Sequence, residues 1–168
     1  MNELYHSAHK ILVETGIDTN NEELNKTPER FIKSIMEMTS SHRNPINLNK
    51  IIKFENNNTN NNIIIIKNIP IKSVCQHHIM PFFGTAIIKY KPDKYILGLS
   101  KFNYIVDYFG KKLQSQEKLT NEICNFIYNY LEPKAIFIST EMKHTCISNR
   151  GMNDPNSSTI VYASRGII

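Results

Sequence analysis

Asn62-Ile63-Ile64-Ile65-Ile66-Lys67-Asn68-Ile69-Pro70-Ile71-Lys72-Ser73-Val74-Cys75 is the stretch on which the fold turns. Its β-branched isoleucines predict a strand over 62–75. A second strand is predicted over 83–91. Helical spacing follows over 101–113 and 117–131, where Leu119, Ile123, Phe126, Ile127 and Tyr130 line one side. Strands return over 134–142 and, past the turn-rich Asn153-Asp154-Pro155-Asn156, over 157–163. The order strand, strand, helix, helix, strand, strand predicts an α+β domain with helices on one face of an antiparallel sheet.

Upstream the pattern changes. Leu4, Ala8, Ile11 and Leu12 are spaced for a helix over 3–15. A second helix is expected from Thr27-Pro28-Glu29-Arg30, with Thr27 as N-cap and Pro28 in the first helical position. Phe31, Ile35 and Met38 give it an apolar stripe. Residues 55–61 are mostly asparagine, which offers a core nothing to bury, so they read as a loop. The expected organisation is a helical segment over 1–54, the Asn-rich loop over 55–61 and the α+β domain over 62–168.

At 168 residues, 40% hydrophobic and 21% charged, the chain suits one domain with a real core. Lys67 interrupts the Ile63–Ile66 run, so no membrane span is expected, and the N-terminus lacks the basic-then-apolar layout of a signal peptide. A cytoplasmic protein with no membrane partner is the expectation. The net charge of +5 and pI of about 9.1 favour anionic partners. Because the basic residues are dispersed, a phosphorylated small molecule is expected and nucleic acid is not. There is no GxGxxG and no Walker loop. Three cysteines, an odd and low count, argue against a disulfide framework.

The cysteines point to metal chemistry. Cys75-Gln76-His77-His78 ends the first strand, and His144-Thr145-Cys146 follows the third. Cys75 and His78 have the spacing of a turn that aims both at one ion, and Cys146 supplies a third ligand from a neighbouring strand. Two thiolates and an imidazole suit zinc, and three protein ligands leave a fourth position open, as in catalytic sites. The competing reading makes the cysteines buried small hydrophobes. It suits Cys124, set mid-helix among Ile123, Phe126 and Ile127. It fits Cys75 and Cys146 poorly, because three of the six histidines fall in the same two clusters. His77 is expected near the metal but turned from it. His144, two residues before Cys146, would share its side in extended chain. Either imidazole can move protons or orient a ligand.

These residues, taken in order, carry a resemblance. Ser73-Val74-Cys75-Gln76-His77-His78, Pro81-Phe82-Phe83-Gly84, Gly98-Leu99-Ser100-Lys101, Gln114-Ser115-Gln116-Glu117-Lys118-Leu119-Thr120 and His144-Thr145-Cys146 with Arg150-Gly151 resemble GTP cyclohydrolase I, of the T-fold class. The likeness is close over 62–151 and extends more loosely to the Thr27-Pro28-Glu29-Arg30 helix. It implies a T-fold with a four-stranded antiparallel sheet and two antiparallel helices, preceded by N-terminal helices. It implies zinc on Cys75, His78 and Cys146, and guanine anchored by Glu117 with help from Gln116. Ser100, Lys101, Arg150, and Arg30 from a neighbouring subunit would face the triphosphate and ribose, while His77 and His144 would move protons. The family reaction hydrolyses the purine ring of GTP at C8, releases formate and yields 7,8-dihydroneopterin triphosphate. The family assembles as a ring-shaped homodecamer with sites at subunit interfaces.

Three positions depart from the family pattern. Gln76 replaces a glutamate, Tyr104 stands where an arginine is usual, and Lys118 replaces an arginine, keeping charge but not the planar fork. Gln76 and Tyr104 support an alternative: a non-catalytic or altered-specificity T-fold relative that binds a purine or pterin.

Overall fold

A computed structural model describes residues 2–58, 60 and 62–167. Two compact units result, residues 1–40 and 41–168. In the first, α1 (Asn2–Glu14) and α2 (Thr27–Met38) are helices. Thr27 is not the N-cap of α2. It lies inside the helix, and Lys26 occupies the cap without a side-chain hydrogen bond. Pro28 is buried and sits in the first turn, where its missing N–H costs nothing.

The second unit contains β1 (Lys53–Glu55), β2 (Ile64–Cys75), β3 (Pro81–Lys91), β4 (Tyr95–Leu97), α3 (Leu99–Gly110), β5 (Leu113–Gln114), α4 (Gln116–Leu131), β6 (Ala135–His144), the single-turn α5 (Thr145–Ser148) and β7 (Thr159–Gly166). The expected four-stranded antiparallel sheet needs correcting. Four long strands do run antiparallel in the order β2-β3-β6-β7, but the two-residue β5 adds a fifth strand parallel to β2. The sheet is therefore mixed. A separate two-stranded sheet pairs β1 with β4. The helix expected over 101–113 stops at Gly110, because Leu113 and Gln114 pair with Val74 and Cys75.

Of the Asn-rich loop, Thr59 and Asn61 lie outside the described residues. Asn56 and Asn58 fold it locally, each side-chain oxygen accepting from the backbone N–H two residues on.

Alternation places one face of the sheet inward. Ile69, Ile71, Phe82, Ala86, Ile88, Tyr90, Ile136, Ile138 and Met142 pack with Phe102, Ile105, Val106 and Phe109 of α3 and Leu119, Ile123, Ile127 and Leu131 of α4. Cys124 is fully buried among them, as its mid-helix setting predicts. Gly84 and Gly110 permit two close approaches. A Cβ on Gly84 would stand 1.9 Å from the carbonyl oxygen of Glu141, and one on Gly110 would stand 2.3 Å from that of Lys72. Among the described residues, no helix is long and apolar enough to cross a membrane.

Candidate metal centre

β2 and β3 are joined by a tight loop that presents the first ligands. Ile79 N–H donates to the Cys75 carbonyl at 2.9 Å, and Cys75 N–H donates to the Met80 carbonyl at 2.8 Å. Ile79 closes this loop at φ 56°, a left-handed conformation rare for a β-branched residue and costing ~1–3 kcal/mol. The loop lifts Gln76, His77 and His78 off the end of the sheet into solvent, while Cys75 stays buried at its root.

The third candidate ligand follows the end of β6. His144 pairs with Phe82 in the last register position of β3 and β6, and the chain then turns into α5. Cys146 is therefore on a helical turn, so it does not share a side with His144 through extended chain. Thr145 Oγ1 ties this turn back to the sheet by donating to the Pro81 carbonyl at 2.6 Å.

Cys75, His78 and Cys146 bring their ligand atoms within 4.8 Å of one another. The Cys75 Sγ to His78 Nδ1 distance is 3.9 Å. Tetrahedral zinc, with bonds of ~2.3 Å to sulfur and ~2.0 Å to nitrogen, separates its ligand atoms by roughly 3.5–3.8 Å. The set therefore fits zinc in donor type and number, with its ligand atoms slightly wider apart than in a bound site. Burial, then the nearby Cys75, push the Cys146 thiol up from its ordinary value. A bound cation reverses that balance, since a coordinating thiol is deprotonated.

Around this set the other expected residues divide. His77 Nδ1 lies 3.8 Å from Cys75 Sγ, beside the ligands without belonging to the triad. Gln76 Nε2 is 3.4 Å from His77 Nε2, so the amide that replaces the family glutamate still touches that ring. His144 is half-buried and stacks on the fully buried Phe82 at 4.6 Å between ring centroids. Burial lowers its pKa, and the Glu117 carboxylate opposes the shift.

Glu117 is exposed in the first turn of α4, where the Ser115 hydroxyl caps the helix by accepting from Lys118 N–H at 3.3 Å. Its own backbone N–H, then the Ser115 hydroxyl, hold its carboxyl below the usual carboxylate range. His144 and His77 add to that shift and slight burial opposes it. Arg150 is exposed just beyond α5, close enough to act electrostatically on Cys146.

Ser100 and Lys101 lie elsewhere in this unit. α3 ends at Gly110 beside Lys72, three positions before Cys75. Its twelve residues span ~18 Å, so Ser100 and Lys101 in its first turn sit at the opposite end of the sheet from the cluster. Arg30 is exposed on α2, in the first unit.

Gln116 is 2% exposed, with its amide committed within the protein. Sequence reading gave no role to Thr140, or to Phe82 and Thr120 of the quoted motifs: Phe82 stacks on the His144 ring, Thr140 accepts from the Gln116 amide and Thr120 bonds Thr140. The only sequence signals were the i, i+4 spacing of Gln116 and Thr120 and the inward parity of Thr140 on β6. Tyr104 also proves structural: its phenol oxygen accepts from Asn47 N–H at 3.3 Å, and its ring packs against the core.

With the geometry in place, comparison with known proteins adds its own findings. A family model described as GTP cyclohydrolase I matches residues 4–168. The chain is 39% identical to GTP cyclohydrolase 1 of Wigglesworthia glossinidia brevipalpis over 158 residues, covering 94% of this chain and 73% of that protein. It is 37% identical to GTP cyclohydrolase 1 of Bacteroides thetaiotaomicron over 160 residues, covering 95% and 81%. Among solved structures, the apo form of archaeosine synthase QueF-Like is similar with a TM-score of 0.51 at 16% identity, covering 66% of this chain and 99% of that one. This last likeness speaks to the fold alone.

Proposed function

Since the chain belongs to the GTP cyclohydrolase I family, we propose that it is an enzyme acting on GTP, hydrolysing the purine ring at C8 with release of formate and forming 7,8-dihydroneopterin triphosphate. The observation that carries the proposal is the three-ligand Cys75-His78-Cys146 set, which leaves a fourth position open, with the His77 imidazole beside Cys75. Zinc in that set would lower the pKa of water to about 7 and so supply a nucleophile at neutral pH.

The chain's own residues would do the rest. Glu117, kept ionised, would accept from the two N–H donors on the guanine edge. Gln116, enclosed in its own bonds, would act behind that contact by holding His144. His77 and His144 would take and return protons during ring opening. Arg150 would approach the substrate's ribose and phosphates from the end of α5. Gln76 keeps a polar contact with His77, and the Tyr104 phenol accepts from Asn47 N–H while its ring packs on the core, which supports the catalytic reading over the non-catalytic alternative.

Ser100 and Lys101 suit a triphosphate, sitting at a helix N-terminus with a hydroxyl and a cation. Being an α3 length from their own metal set, they would serve the site of an adjacent subunit, as Arg30 would. This supports a homo-oligomeric ring, a decamer by family likeness, with sites at interfaces. The edge strand β7, with Ile160 and Tyr162 exposed, offers a surface for strand pairing in such a ring. A cytoplasmic location is proposed on the same footing.

A formate-release assay with GTP, before and after chelation and zinc restoration, tests the function. Absence of formate from zinc-loaded protein would refute it.

A further inference from the structure

We propose that the Gln116 amide fixes the tautomer of His144, keeping the ring proton on Nε2 and leaving Nδ1 as the lone pair available for proton transfer. The inference rests on reading His144 as a proton-moving group and deepens it by naming the nitrogen and the residues that select it.

Backbone carbonyls accept and never donate. Those of Thr140 and Thr159 meet the Gln116 amide nitrogen at 3.1 and 3.0 Å, so that end of the side chain is the NH2 group and Oε1 faces the other way. A reversed amide would set its oxygen against two carbonyl oxygens.

The hydroxyl groups give the same polarity. Thr120 Oγ1 lies 2.8 Å from the main-chain carbonyl oxygen of Gln116, one helical turn before it, and must donate to it. The 2.8 Å contact between the Thr120 and Thr140 hydroxyls therefore runs from Thr140 to Thr120. With its proton placed there, Thr140 Oγ1 can only accept, sharing one Gln116 Nε2 N–H with the Thr140 carbonyl at 3.1 Å. Gln116 is 2% exposed and both threonines 0%, so bulk water does not compete for these bonds.

Gln116 Oε1 is thus an acceptor of fixed direction, and His144 Nε2 stands 2.9 Å from it. That nitrogen must donate. A neutral imidazole has one N–H, so Nδ1 is bare. A flipped ring would set a carbon opposite Oε1 and lose the bond, while stacking on Phe82 at an interplanar angle of 4° holds the ring plane. Gln116, Thr120 and Thr140 are in this sense positioning residues, acting through His144.

The test is nitrogen NMR of the zinc-loaded, full-length protein carrying 15N-labelled histidine, with His144→Asn used to assign the signal. The expected result is that the neutral form of His144 has an unprotonated Nδ1 and a slowly exchanging Nε2 proton. In Gln116→Met, which keeps the side-chain length and removes the acceptor, that exchange protection should vanish. Turnover should fall by ~10²-fold with a much smaller change in KM and unchanged zinc content, the lower range for a positioned acid–base group. A neutral ring with its proton on Nδ1 in the unmodified protein overturns the proposal, and so does undiminished protection in Gln116→Met. If His144→Asn released formate at the full rate, the proton-moving role itself would fall, whatever the ring's tautomer.

Discussion

Replacing Tyr104 with arginine restores the residue usual at this position in the family, and the structure predicts that it harms the protein. Tyr104 Oη accepts from Asn47 N–H, Lys50 Nζ lies 5.9 Å from its ring centroid, and the half-buried ring packs on the core. Loss of the hydrogen bond costs about 1 kcal/mol. The exposed cation–π contact adds ~0.5 kcal/mol and the partly lost ring burial ~1 kcal/mol. A guanidinium would also face the Lys50 ammonium instead of an aromatic ring. The sum is roughly 2–3 kcal/mol, which for a chain of this size lowers Tm by about 4–10 °C. Thermal unfolding at matched zinc content reads the shift, and steady-state kinetics with GTP should show KM little changed. An unaltered Tm with a severalfold lower KM would refute the reasoning and place Tyr104 against the substrate.

Four further outcomes are expected. Cys75→Ser, His78→Ala and Cys146→Ser should each abolish tight binding of about one zinc per chain; metal analysis after dialysis checks this, and retained zinc in all three would remove the assignment. His77→Ala should keep its zinc yet lose ~10²–10⁴-fold in turnover, whereas loss of metal would make His77 a ligand. Glu117→Gln should weaken GTP binding at neutral pH. Because the Glu117 carboxyl is held below its ordinary range, the native protein should retain its base contact into mild acid and lose it only as pH falls through that lowered value; GTP titrations across pH should show the step in the native protein and not in the variant. Gly84→Ala would drive a Cβ to 1.9 Å from the Glu141 carbonyl oxygen, parting β3 from β6 at a cost of about 1–3 kcal/mol, so an unchanged denaturation midpoint would contradict the close approach.

What the sequence determined by itself was whatever depends on neighbouring residues. The isoleucines of β2 state their conformation through β-branching, and α4 states its buried side through a 3.6-residue period. Cys75 and His78 declare a shared ion because one turn of chain can bring them together, and Cys124 declares its burial through its place in the helical stripe. Motif order carried the family.

Only the tertiary structure decided what depends on distant chain. A two-residue strand such as β5 has no period to detect, and it forms because Val74 and Cys75 offer it an open edge. Cys146 comes within reach of Cys75 and His78 through a helical turn fixed by the Thr145 bond to Pro81, which residue spacing cannot express. Gln116 reads as a polar residue beside a substrate anchor until β6 and β7 supply the carbonyls that bury and orient its amide. Ser100 and Lys101 sit in a recognisable motif, yet the direction of α3 along β2 decides which end of the sheet they occupy. Local conformational preference acts over a few bonds and survives in the sequence. The partners of a buried polar group are set by packing across the sheet, and they exist only once the chain has folded.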